Sequence, residues 1–123
     1  MQVTFLGHAG MFIETRQGTV LCDPFFNSAY FGSWFPFPAN DQLDVTPFEN
    51  PDYLYLSHTH LDHFDARYLA EHVSKATTVL LPDHPLGLVE KELRALGFTN
   101  FVQTRNAQPI DVNGLRVMIT SLV

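Results

Sequence analysis

In the segment Ser57-His58-Thr59-His60-Leu61-Asp62-His63, the six residues from His58 to His63 carry four potential metal donors, and three of the chain's six histidines fall there. In an extended backbone His58 and His60 stand two apart and project to the same side, so two neutral imidazoles can converge on one cation. Asp62 and His63 follow where the chain must turn, which lets an oxygen and a nitrogen face a second cation close to the first. Imidazole with carboxylate suits Zn²⁺, with Fe or Mn also compatible, whereas an all-oxygen Ca²⁺ or Mg²⁺ cage has no use for three histidines. Such cations lower the pKa of bound water toward roughly 7 and stabilise a developing oxyanion, so the expected chemistry is hydrolysis by a hydroxide held between two metals. Asp62 then serves both as ligand and as the catalytic group that orients the nucleophile. The plain alternative is a solvated, histidine-rich turn, and four donors directly after an apolar strand weigh against it.

The elements around this segment decide where it is presented. Val3-Thr4-Phe5-Leu6, Met11 to Thr15 and Thr19 to Cys22 read as three short strands separated by Gly7-His8-Ala9-Gly10 and Arg16-Gln17-Gly18, an antiparallel meander. From Asp23 to Pro51 no period of two or of 3.6 is sustained and five prolines punctuate the chain, so this is one long loop. Its aromatic residues, Phe25, Phe26, Tyr30, Phe31, Trp34, Phe35 and Phe37, argue for order, either as clamps to the core or as a substrate lid over Tyr30 to Phe37. Beyond it strands and helices alternate: strand Tyr53 to Leu56, helix Ala66 to Val73, strand Thr77 to Leu81, helix Leu86 to Leu96 and strand Phe98 to Val102. That is an α/β pattern, and it sets the histidines at a strand's carboxyl end, where open α/β architectures place ligands. Asp65 is the expected N-cap of the first helix. In the second, Leu86, Val89, Leu93 and Leu96 share one face, and Gly97 supplies the stop. Asn113-Gly114 predicts a type I′ hairpin turn between Pro109–Val112 and Leu115–Thr120.

Composition narrows the partners. Of 123 residues, 46% are hydrophobic and 16% charged, which suits one compact domain. The formal charge of −6 lacks the basic footprint of a nucleic-acid binder. No apolar run reaches about 18 residues and no leader precedes Val3, so membrane insertion and export are not expected. The lone Cys22 has no internal disulfide partner, which agrees with a cytoplasmic setting. Ser121-Leu122-Val123 continue an apolar strand without a turn or polar tail, which predicts that the chain is half of a longer protein.

With strands before it and Asp-Pro in Leu21-Cys22-Asp23-Pro24, the His58-x-His60-x-Asp62-His63 array resembles the metallo-β-lactamase superfamily. Phe5-Leu6-Gly7-His8-Ala9-Gly10, with the aromatic Phe31-Gly32-Ser33-Trp34-Phe35-Pro36, is similar to the branch containing ascorbate-6-phosphate lactonase, N-acyl-phosphatidylethanolamine phospholipase D and the hydroxylase-related proteins of CMP-sialate metabolism. The resemblance runs over essentially the whole chain and implies the amino-terminal half of an αβ/βα sandwich, one truncated domain over residues 1–123. It implies a first metal at His58 and His60 and a second at Asp62 and His63, with a third histidine per metal and a bridging aspartate from later segments. A zinc site needs about four donors, so two per cation leave both sites open in this chain alone. It further implies that Asp23 hydrogen-bonds and orients the histidine loop, the alternative being a turn cap. His8 is implied to lie near the metals, where it could contact a substrate oxygen.

The implied substrate is a small ester, lactone or phosphoester. Iron-dependent redox chemistry on the same fold is the alternative, although the family's diiron oxygen reductases usually carry a glutamate at the position of His60. A non-catalytic module that self-associates or pairs with a missing carboxy-terminal half is a third reading. Among the other candidates, Cys22 reads as a buried strand residue, His72 as a helix-face residue and His84 as a turn residue that could line the pocket.

Overall fold

The computed structural model describes residues 1–121. Strands β1 (Gln2–Gly7), β2 (Gly10–Thr15) and β3 (Gly18–Cys22) form the antiparallel meander, and β4 (Tyr53–Tyr55), β5 (Thr78–Leu81) and β6 (Asn100–Gln103) extend it by parallel pairing. The six lie in one mixed sheet in the order β1-β2-β3-β4-β5-β6. Helix α1 (Ala66–His72) connects β4 to β5, and α2 (Leu88–Ala95) connects β5 to β6. Strands β7 (Ile110–Val112) and β8 (Leu115–Val117) pair as a separate antiparallel hairpin. This is the expected α/β class. Asn113 and Gly114 both take positive φ, 49° and 88°, as a type I′ turn requires.

Both faces of the sheet are covered because consecutive strand residues point to opposite sides. Leu21, Leu54 and Val79 are fully buried with Leu69 of α1 and Leu93 of α2, while their neighbours Val20, Tyr53 and Leu80 pack against Leu115 of the hairpin. Two expectations need correction. Leu86 is 80% exposed and lies before α2, because Gly87 takes a left-handed conformation (φ 58°) and starts the helix at Leu88. The last strand ends at Val117 rather than Thr120, and the expected continuation through Leu122 and Val123 falls outside the described residues.

The long loop is ordered by polar anchors as much as by rings. Asn40 is buried and donates from Nδ2 to the carbonyls of Leu6 (2.7 Å) and Phe25 (2.8 Å). Phe25 is buried, Phe26 stacks on Tyr68, and Phe48 packs on Phe12 from a 3-10 turn at Thr46–Phe48. Phe31, Phe35 and Phe37 are exposed, so the clamps are the earlier and later rings of the loop.

Asp65 joins this loop to α1. Its buried carboxylate caps the helix by accepting from Tyr68 N (3.0 Å) and also accepts from the backbone N–H groups of Phe26 and Asn27, each at 2.8 Å. Asp65→Ala strands three backbone donors at once and is expected to destabilise the fold by about 2–4 kcal/mol, read as a lower urea midpoint. Asp65→Asn, which keeps an acceptor oxygen, should lose less.

Candidate metal centre

Strands β3 and β4 run parallel with Cys22 opposite Tyr55, so their carboxyl ends finish side by side. Asp23 leaves β3 in a left-handed conformation (φ 37°) with its N–H on the Tyr55 carbonyl (3.1 Å), and Ser57 follows β4 on the facing side. The Asp23 carboxylate is buried there. Its Oδ1 accepts from Ser57 N (2.8 Å), and its Oδ2 accepts from Ser57 Oγ (2.6 Å) and His63 Nδ1 (2.8 Å).

The hydrogen count then fixes two tautomers. The one Ser57 hydroxyl hydrogen is spent on Asp23, so the 2.8 Å contact with His58 runs from His58 Nδ1–H to Ser57 Oγ. His63 also carries its proton on Nδ1, since a carboxylate can only accept. Both rings therefore present a bare Nε2, the lone pair that a divalent cation takes. Burial, and the neighbouring His63 and His60 rings, hold His58 below the usual histidine pKa, which keeps it neutral.

The chain reverses at His60, whose carbonyl accepts from the N–H groups of His63 (2.9 Å) and Phe64 (2.8 Å). This folds His63 back over His58, their ring centroids 4.1 Å apart, with the exposed His60 ring edge-on 4.6 Å from His58. Asp62, buried, comes within 3.4 Å of His63 Nε2 through Oδ2. Two donors at about 2.1 Å from one tetrahedral cation stand about 3.4 Å apart, so this spacing fits a shared ion.

His8, in the tight turn between β1 and β2 (φ 55°), donates from Nε2 to Asp62 Oδ2 at 2.8 Å, and the Tyr30 hydroxyl donates to Oδ1 at 3.2 Å. Burial pushes the Asp62 carboxyl up. Hydrogen bonds from His8, its own backbone and Tyr30 act against this and leave it below the usual aspartate pKa. Among the described residues, one group brings three ligand atoms within 4.8 Å of one another: His8, Asp62 and His63.

The remaining candidates sit apart. His84 lines, with His58 and Leu88, a mainly apolar cavity of about 220 Å³ beside the histidine loop. His72 stacks on Tyr68 and contacts Glu49 at 3.3 Å, a helix-face position. Burial, with the nearby Asp23 charge, pushes the Cys22 thiol up to about 12, so it stays an inert packing group. Sequence reasoning passed over Ser57 as part of the site and read Tyr30 only as a loop clamp or lid residue, not as a partner of Asp62. For Ser57 a signal existed, a hydroxyl adjoining the first imidazole; for Tyr30 there was none, because its partner lies 32 residues away.

The sheet order and the helices packed on it define an α/β protein with a donor cluster at the strand ends. The chain belongs to the Beta-lactamase superfamily domain family, whose model matches residues 2–119. A putative Rieske 2Fe-2S iron-sulfur protein of Mycolicibacterium smegmatis is 52% identical over 126 residues, which cover 99% of this chain and 24% of that protein. A UPF0173 metal-dependent hydrolase of Exiguobacterium sp. is 38% identical over 80 residues, 64% of this chain and 31% of that one. In three dimensions CmlA, a diiron beta-hydroxylase from Streptomyces venezuelae, matches with a TM-score of 0.66 at 24% identity, over 98% of this chain and 24% of that chain. The chain thus spans about a quarter of the length of the first curated relative. Among the described residues no helix is long and apolar enough to cross a membrane.

Proposed function

We propose that this chain carries one half of a binuclear metal centre, His58 and His60 holding one cation and Asp62 and His63 the other, in a metal-dependent hydrolase. The observation that carries the reading is the Asp23 anchor: one buried carboxylate holds His63 directly and His58 through Ser57, both by Nδ1, so that two Nε2 lone pairs stay available beside Asp62. The donor chemistry fits a zinc-like ion, since neutral imidazoles and an ionised carboxylate are the forms that bind one.

When bound, two divalent cations supply the charge that lowers the pKa of water toward roughly 7 and stabilises developing negative charge. The chain's own residues do the positioning. Asp23 and Ser57 fix the imidazole planes, while His8 and Tyr30 hold the carboxylate of Asp62, which orients the nucleophile. His8 also stands where a substrate oxygen can meet an imidazole. Two donors per cation assign the remaining ligands to the rest of a longer polypeptide, a reading supported by the length of the relatives. The substrate class is a small ester, lactone or phosphoester, handled in the cytoplasm without a nucleic-acid partner. The single cysteine and the formal charge of −6 support that setting.

Oxidation at iron is the second reading, favoured by one finding: CmlA, a diiron beta-hydroxylase, shares the fold. Metal analysis of the complete polypeptide that carries this chain separates the two. Colourless protein with about two zinc ions per chain is expected. Iron with a visible absorption band would replace hydrolysis by redox chemistry. No bound metal, together with a mass on sizing that grows with concentration, would leave an assembly module instead.

A further inference from the structure

In the aromatic loop, Ala29 and Trp34 exchange two backbone hydrogen bonds (2.9 and 3.1 Å), and between them three successive residues take left-handed φ: Tyr30 at 52°, Phe31 at 58° and Gly32 at 79°. Glycine adopts that region freely, but two aromatic residues in succession do not, so something must hold them there. Ser33 does so by donating both its N–H (3.2 Å) and its hydroxyl (2.6 Å) to the Tyr30 carbonyl. The result of this braced, strained turn is a phenol hydroxyl 3.2 Å from Asp62 Oδ1, on the opposite side of the carboxylate from His8. Each carboxylate oxygen has two lone pairs, so Asp62 can accept from Tyr30 and His8 and still offer an electron pair to a cation.

We propose that Tyr30 is a positioning residue of the metal centre, which fixes the Asp62 carboxylate and ties the aromatic turn to it. The inference rests on Asp62 being a metal ligand. Its consequence is mechanical coupling: the Tyr30 ring meets the Trp34 ring edge-on at 5.0 Å, so a carboxylate that shifts on taking a cation moves the phenol and alters the surroundings of Trp34. Trp34 is the single tryptophan of these 123 residues and is half exposed, so the part of the emission that Trp34→Phe removes reports the turn.

The test is a titration of the complete polypeptide that carries this chain with Zn²⁺ alone, followed by equilibrium dialysis for binding and by tryptophan fluorescence for the turn. Wild-type protein is expected to bind zinc with a shift in Trp34 emission. Tyr30→Phe, folded by circular dichroism, should bind about tenfold more weakly, the low end of what losing a group that orients a metal ligand costs, and lose most of the emission shift. Ser33→Ala, which leaves the phenol in place but removes a brace, should move affinity the same way by a smaller factor. A merely packing role for Tyr30 would lower the melting temperature of Tyr30→Phe and leave zinc affinity alone. Zinc binding and emission shift equal to wild type in both variants would overturn the proposal while leaving the metal centre intact. Absence of zinc binding in the wild type would overturn the metal centre itself, and the proposal with it.

Discussion

Replacing His58 or His60 with Ala in the complete polypeptide is expected to abolish turnover and to remove one of two metal equivalents, with circular dichroism and melting temperature little changed. The two rings meet edge-on beyond the strand end and do not belong to either apolar cluster, so the fold has little to lose with them. A cation left with one imidazole from this chain loses a donor that no neighbouring side chain can replace, because His63 is held by Asp23 and faces Asp62. Steady-state hydrolysis and metal content, measured on the same preparations, check this. Unchanged hydrolysis would count against the assignment however the metal content came out.

Asp23→Ala should weaken metal binding by about 10–100-fold without removing a single ligand. The carboxylate accepts three hydrogen bonds, from Ser57 N, Ser57 Oγ and His63 Nδ1, and through Ser57 it also sets the His58 ring. Without it neither imidazole is held in its Nδ1–H tautomer, and the buried donors lose their acceptor. Asp23→Asn is the sharper variant. Its amide oxygen can keep the Ser57 N–H, but an amide nitrogen in the place of Oδ2 forces His63 to accept at Nδ1 and carry its proton on Nε2, where the cation should sit. The expected result is near-native stability with metal affinity lowered as in Asp23→Ala, measured by competition with a chelator. Affinity equal to wild type in the Asn variant would show that Asp23 is only a turn cap.

Much of the fold was legible because its signals are local. Asp65 capping α1, Gly97 after α2 and Asn113-Gly114 in the hairpin each act through residues within a few positions, and the strands carry their own β-forming side chains. Leu86 misled because periodicity counts apolar spacing and does not see that Gly87 turns the backbone left-handed one residue before α2. The histidine segment was equally plain, being contiguous. Residue spacing alone does not display long-range partners: the resemblance placed Asp23 and His8 at the histidine loop, but not on His63 (40 residues away) and Asp62 (54 away), and Tyr30, which reaches Asp62 across 32, was not placed there at all. Those contacts exist only because β1, β3 and β4 lie in one sheet and bring their carboxyl-end loops to one side.

The most direct measurement is anomalous X-ray scattering at the zinc edge from crystals of the protein grown with Zn²⁺. A cation bound between His63 Nε2 and Asp62, with a second on His58 and His60, is the result expected. Full zinc exposure that leaves those four side chains without an anomalous peak, or that places the ions only on His72 or His84, would contradict a binuclear centre at this loop.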